Sequence, residues 1–200
     1  MISALVLAAA IQGNAPKAPK LPPKLPKGLL LRSIAWLPPF APQISEPERT
    51  KWRDGVLSAL NKPKPTGVYR TIPSATVLKE MKKEGLDPLT QGSTWSSEAM
   101  WSVGKAVKAR YVGILDLFPI TPNVDVKKDQ VMVTGHVLVY EVATKKAVNQ
   151  ETFNLTGPQP TAGKGSTSDG YPVAVDLAER VIPMNLRFRF EKYEAGAPGL

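Results

Sequence analysis

Residues 102–118 read "SVGKAVKARYVGILDLF": a glycine–lysine pair, a basic run and then an apolar run. A phosphate loop requires G-x-x-x-x-G-K-[ST] between a strand and the helix that follows, so that helix N-terminal amides face the phosphate. Here Ala106 follows Lys105, and the residues before the pair carry a helical period. Met100, Val103 and Val107 share one face, while Lys105 and Lys108 lie off it. The stretch therefore predicts a helix end passing into a core strand at Tyr111, with Gly104 permitting close packing. A second candidate, "GPQPTAGKGST", fails on spacing. Five residues rather than four separate Gly157 from Gly163, and Gly165 stands where serine or threonine is required. No nucleotide-binding loop is expected.

Elements alternate on both sides of this stretch. "LRSIAWLPPF" (31–40) reads as a buried strand stopped by Pro38 and Pro39. "SEPE" offers Ser45 as an N-cap with Glu48 three residues on, a capping box that starts a helix running to about Leu60. Trp52, Val56, Leu57 and Leu60 form its inner face. "GVYRTIP" (67–73) predicts a second strand. Ser74 then caps a helix with Ala75, Leu78 and Met81 inward, which stops at Gly85, a residue suited to the left-handed position past a helix end.

After the central strand, "VMVTGHVLVYEVA" (131–143) and "AVNQETFNL" form strands joined by a turn at "TKK". "YPVAVDLAERVI" is helical, with Val173, Leu177 and Val181 on one side. "PMNLRFRFEKY" fits either helix or strand: Leu186, Phe188 and Phe190 alternate, and Pro183 should kink what precedes them. The order predicts a single mixed α/β (α+β) domain over 32–194, five strands in one sheet flanked by about four helices. The first three strands are neighbours through helical crossovers and the later pair is a hairpin. Residues 195–200 are a C-terminal tail.

The N-terminal region has a different character. An apolar run from Ile2 to Ile11 reads as a secretory signal cut after Ala10 or Ala15, or else as an unstructured start. It is too short to span a bilayer, which takes roughly 17–25 apolar residues. Residues 16–31 alternate prolines with lysines and favour an extended polyproline conformation; at ~3.1 Å per residue such a spacer reaches on the order of 50 Å. The net charge is +9, and Lys17, Lys20, Lys24, Lys27 and Arg32 supply five of it with no acid among them. The basic object is thus the tail, a polyanion or anionic-lipid contact, rather than the domain.

Few residues offer chemistry. The chain has no cysteine and one histidine, which removes disulfides, thiol catalysis and the usual zinc sets. "NVDVKKD" (123–129) departs from a calcium loop at Lys127. No metal or cofactor is expected. His136 falls mid-strand in "VTGHVLV", pointing with Met132, Leu138 and Tyr140, and no G-x-S-x-G elbow accompanies it. Asp116 lies in an apolar strand in register with Val112, Ile114 and Phe118, and is the one acid expected to be perturbed by burial. Trp36 and Trp52 fit core positions; Trp95 and Trp101, beside a loop, are candidates for a partner surface.

The strings "SIAWLPPF", "GKAVKARYVGILD" and "VMVTGHVLVYEVATKKAV" resemble, respectively, the opening strand, the helix-to-strand step and the paired strands of a group of bacterial envelope proteins. The group comprises the TolB amino-terminal domain, CsgG and LpoB. The resemblance covers roughly 32–190 and implies a mixed sheet with flanking helices, a cell-envelope location, and action by binding other proteins without catalytic residues. Two departures stand out: the lipid-anchoring cysteine of CsgG and LpoB is missing, and Lys146 stands where the group has its turn glycine. The reading that follows is a non-enzymatic periplasmic or secreted assembly factor on a proline-rich tether. The alternatives are a nucleic-acid or polyanion binder using the lysine tail, and an enzyme using Asp116 or His136, which a pocket bringing the two together would favour.

Overall fold

A computed structural model describes residues 32–62, 69–87, 96–120, 130–158 and 170–194. The sequence runs β1 (Ser33–Trp36), α1 (Glu46–Asn61), β2 (Arg70–Thr71), α2 (Ser74–Lys83), α3 (Ser97–Ala106), β3 (Tyr111–Ile120), β4 (Gln130–Glu141) and β5 (Ala147–Pro158). One C-terminal helix follows, made of α4 (Tyr171–Asp176), a π-helical turn (Leu177–Val181) and α5 (Ile182–Glu194). The five strands make one sheet in the order β2-β1-β3-β4-β5. β1 is parallel to β2 and β3, and β4 is antiparallel to both of its neighbours, β3 and β5. This is the mixed sheet with four flanking helices that the element order predicts.

Two cores sandwich the sheet because β1 and β3 are apolar on both sides. On the first face Ile34, Trp36, Tyr111, Leu115 and Leu117 meet Trp52, Val56 and Leu60 of α1 and Leu177, Ile182, Leu186 and Phe190 of the C-terminal helix. On the second face Ala35, Leu37, Val112 and Ile114 meet Val77 and Met81 of α2 and Met100 and Val103 of α3. Gly104 allows α3 to approach closely: a Cβ there would lie 2.8 Å from Val142 Cγ2. At Gly135 of β4 a Cβ would lie 2.6 Å from Leu177 Cδ2, so the C-terminal helix rests on bare backbone.

Several local expectations are corrected. Ser45 does precede α1, but its hydroxyl donates to Glu48 Oε2 at 3.2 Å rather than capping an amide, while the Glu48 and Arg49 N–H groups donate to the Ser45 carbonyl. Pro73, not Ser74, occupies the N-cap of α2, and the Ser74 hydroxyl instead accepts from Asn61 Nδ2 of α1 at 2.9 Å. The face of α2 is rotated from the expected one, because Val77 and Met81 are buried and Ala75 is exposed. The second strand shrinks to Arg70–Thr71.

"NLRFRF" is helix. The residues at helical spacing, Leu186 and Phe190, are buried, and the intervening Phe188 is 53% exposed. Pro183 does not end the helix. A proline clashes with the carbonyl four residues back and donates no hydrogen bond. The π-turn directly before it, in which Ile182 N–H reaches the Leu177 carbonyl, supplies the wider turn that accommodates the ring. The departure from a glycine in the β4–β5 turn also moves by one position: the left-handed residue is Lys145, with φ 59°, not Lys146.

Candidate functional site

Pro38 and Pro39 interrupt β1, yet the chain rejoins the sheet at Phe40, which bridges to Asp116: Phe40 N–H donates to the Leu115 carbonyl and Leu117 N–H to the Phe40 carbonyl. This anchors the middle of β3 on one side. On the other, antiparallel pairing sets Asp116 directly opposite His136 and Phe118 opposite Thr134. In β5, Thr152 lies opposite His136. Pairing three long strands in this register puts Asp116, His136 and Thr152 in one row across the second face.

At this end of the second face no described helix covers the strands. The result is a shallow depression of about 570 Å3 lined by Asp116, Phe118, His136, Gln150 and Thr152, among others. The Asp116 side chain is buried, its residue only 3% exposed, and His136 is exposed. Thr152 Oγ1 and His136 Nδ1 share a hydrogen bond of 2.8 Å, and the imidazole stands edge-to-face against Phe118 with centroids 5.2 Å apart. The structure thus brings together the two residues singled out as candidate chemistry. Gln150 and Thr152 carry only a faint sequence signal, the polar alternation in "NQETFN", which puts Gln150, Thr152 and Asn154 on one side of β5.

The other candidates lie elsewhere. Trp101 is half-buried at the far end of the second face, edge-on to Tyr140 at 6.3 Å and beneath the Lys145 ammonium, which sits 4.5 Å from its ring centroid. Trp95 and the tail lysines Lys17, Lys20, Lys24 and Lys27 fall outside the described residues. Among the described residues no cluster of three or more histidine, aspartate or glutamate side chains is placed to hold a metal, and no helix is long and apolar enough to cross a membrane.

An ionic network closes the first face. Arg110 reaches Glu141 at 3.3 Å and Glu194 at 3.1 Å, and Glu194 also pairs with Arg32 at 2.6 Å. Tyr193 and Thr144 both donate to Glu141 Oε2. Burial pushes the Glu141 carboxyl up, but these hydrogen bonds and the Arg110 charge outweigh it and hold the group below its ordinary range. The network ties the last turn of α5 to β4 and to the residue just before β3.

No family model matches the chain, and no curated relative matches it. Solved structures similar to it include the LpoB C-terminal domain from Salmonella enterica, at 14% identity and a TM-score of 0.38, covering 64% of this chain and 85% of that one. Lipoprotein GNA1162 from Neisseria meningitidis is similar at 14% identity and 0.45, covering 75% and 98%. TolB from Acinetobacter baumannii is similar at 13% identity and 0.40; the match covers 85% of this chain and 30% of TolB. The solved structures similar to this chain thus include LpoB and TolB, two of the proteins that the sequence strings resemble.

Proposed function

We propose that the protein is a non-enzymatic assembly factor of the bacterial cell envelope. In this reading residues 16–31 tether the domain and the open part of the second sheet face binds a protein partner. The observation that supports it is the open row itself, in which Phe118, His136 and Thr152 form a shallow aromatic and polar surface on three long, rigidly paired strands. Protein-binding surfaces combine an aromatic anchor with a polar surround in this way. β4 is paired on both sides, so the amides around His136 are spent in ladder hydrogen bonds. No two of them are left to stabilise an oxyanion, which favours binding over acyl-transfer chemistry.

The test is in-cell photo-crosslinking from Asn154, an exposed β5 position on the same face. A crosslink to an envelope protein that disappears in Phe118→Asp is the expected result. Recovery of the protein only in the cytosol, or a crosslink indifferent to Phe118→Asp, would sink this reading.

A second reading is favoured by the register that sets buried Asp116 opposite His136 in one depression. An acid beside an imidazole is the arrangement general acid–base chemistry uses. If Asp116→Asn abolishes function in the cell while the Asn154 crosslink persists, catalysis gains over binding.

A further inference from the structure

Among the described residues, two non-glycine residues have positive φ, and both are lysines: Lys108 at 55° and Lys145 at 59°. They lie in separate parts of the chain. Lys108 follows Val107, the C-cap of α3, and its N–H donates to the Lys105 carbonyl while the Ala109 N–H donates to the Gly104 carbonyl. Lys145 is in the β4–β5 turn, its N–H donating to the Glu141 carbonyl. Glycine suits both positions, and a side chain there costs roughly 1–2 kcal/mol. Such strain persists where the surrounding structure over-determines it, and it clusters at ligand sites.

Both lysines line the same pocket, about 680 Å3, together with Lys105 and Arg110. Arg110 is engaged by Glu141 and Glu194. Among the described residues, Lys105, Lys108 and Lys145 form no ion pair with a carboxylate, and the Lys145 ammonium stands 4.5 Å from the Trp101 ring centroid. Cations at the end of a helix complement its dipole, which accounts for Lys105 and Lys108 in part. It accounts neither for Lys145, which comes from a different element, nor for the positive φ values.

We propose that this pocket binds a phosphate group carried on a small organic body. Three lysines in the lining suit a compact, multiply charged oxyanion, for which lysine acts as a point charge, with the Lys145 ammonium turning in from its place over the Trp101 ring. The planar fork of Arg110, suited to a carboxylate, is already occupied. The walls contributed by Ala109, Val142 and Ala143 are apolar, and the volume exceeds that of a bare phosphate ion. A soluble phosphate ester and a phospholipid headgroup share this chemistry.

The experiment uses the full chain and two probes, sn-glycerol 3-phosphate followed by calorimetry and vesicles of phosphatidylglycerol in phosphatidylcholine followed by co-sedimentation. Lys108→Gly/Lys145→Gly is expected to weaken binding at least tenfold while melting no lower than wild type, because glycine relieves both turns. Lys105→Ala is expected to weaken it severalfold while leaving both left-handed residues in place. Lys79→Ala/Lys82→Ala, which removes equal charge from exposed positions of α2, is expected to stay within twofold of wild type. Pocket-dependent binding of the vesicles assigns a lipid headgroup, and pocket-dependent binding of glycerol 3-phosphate alone assigns a soluble ester. The proposal fails if neither probe binds in a pocket-dependent way, or if the α2 control loses as much as the pocket variants.

Discussion

The first face of the sheet is sealed by α1 and the C-terminal helix, whereas the described helices of the second face, α2 and α3, cover only one end of it. Both faces are built by the same strands. What differs is the residue pattern: Leu115, Leu117, Val133 and Val137 continue the apolar row on the first face, while Asp116, Phe118, Thr134 and His136 replace it on the second. A face that keeps its apolar row acquires a helix, and one that turns polar is left for solvent or a partner.

Two phenylalanines sharpen the comparison most. Phe190 is fully buried on the first face, 4.6 Å from the Tyr111 ring centroid and 6.3 Å from that of Tyr69. Phe190→Ala should cost about 3–5 kcal/mol in denaturant unfolding, the range for emptying an aromatic core site. Phe118→Ala, on the open end of the second face, should cost well under half of that while weakening the proposed partner contact. Equal losses would mean that the second face is as closed as the first.

The same contrast explains what could be read from sequence. "YVGILDLF" declared a strand buried on both sides because almost every residue in it is apolar. "LRFRF" did not resolve, since Leu186 and Phe190 fit both the alternating and the helical period, and only the exposure of Phe188 separates them. Side-chain direction at Asp116 and His136 followed from alternation alone. Their adjacency did not, because it depends on the β3–β4 register, which is set by tertiary pairing. The basic pocket was illegible for a similar reason. Nothing local marks Lys108 as sharing a site with Lys145, and a lysine at a left-handed turn departs from the glycine expected there.

A pair of helix ends makes the next test. α2 and α3 finish with the same hydrogen-bond pattern, Leu86 to Met81 with Gly85 to Lys82, and Ala109 to Gly104 with Lys108 to Lys105. The left-handed residue is Gly85 in the first, with φ 70°, and Lys108 in the second. Lys108→Gly should therefore stabilise the protein by about 1 kcal/mol, and Gly85→Ala should destabilise it by a similar amount. Opposite signs in thermal unfolding would show that α2 ends for the benefit of the fold and α3 at its expense. If Lys108→Gly destabilises, the lysine is itself a packing residue and the strain argument falls.

The smallest expected effect lies at the rim of the first face, in the network around Glu141. Its carboxyl is held below its ordinary range in the folded protein, with burial opposing and the Thr144, Tyr193 and Arg110 contacts prevailing. A carboxyl depressed by folding adds stability at pH values above its unfolded pKa of about 4.3, and that contribution is lost as pH falls through the lower, folded value. The Glu141 and Arg110 side chains are 12% and 27% exposed, so solvent screens the pair and the contribution is modest. Unfolding followed from pH 7 down to pH 3 should show wild type losing its advantage over Glu141→Gln across the acid limb, the two curves converging once the carboxyl is protonated. Asp116→Asn, on the second face and outside this network, should leave the convergence unchanged. If the Glu141→Gln curve stays parallel to wild type throughout, the network does not hold α5 to β4 through charge, and the first face is sealed by its apolar contacts alone.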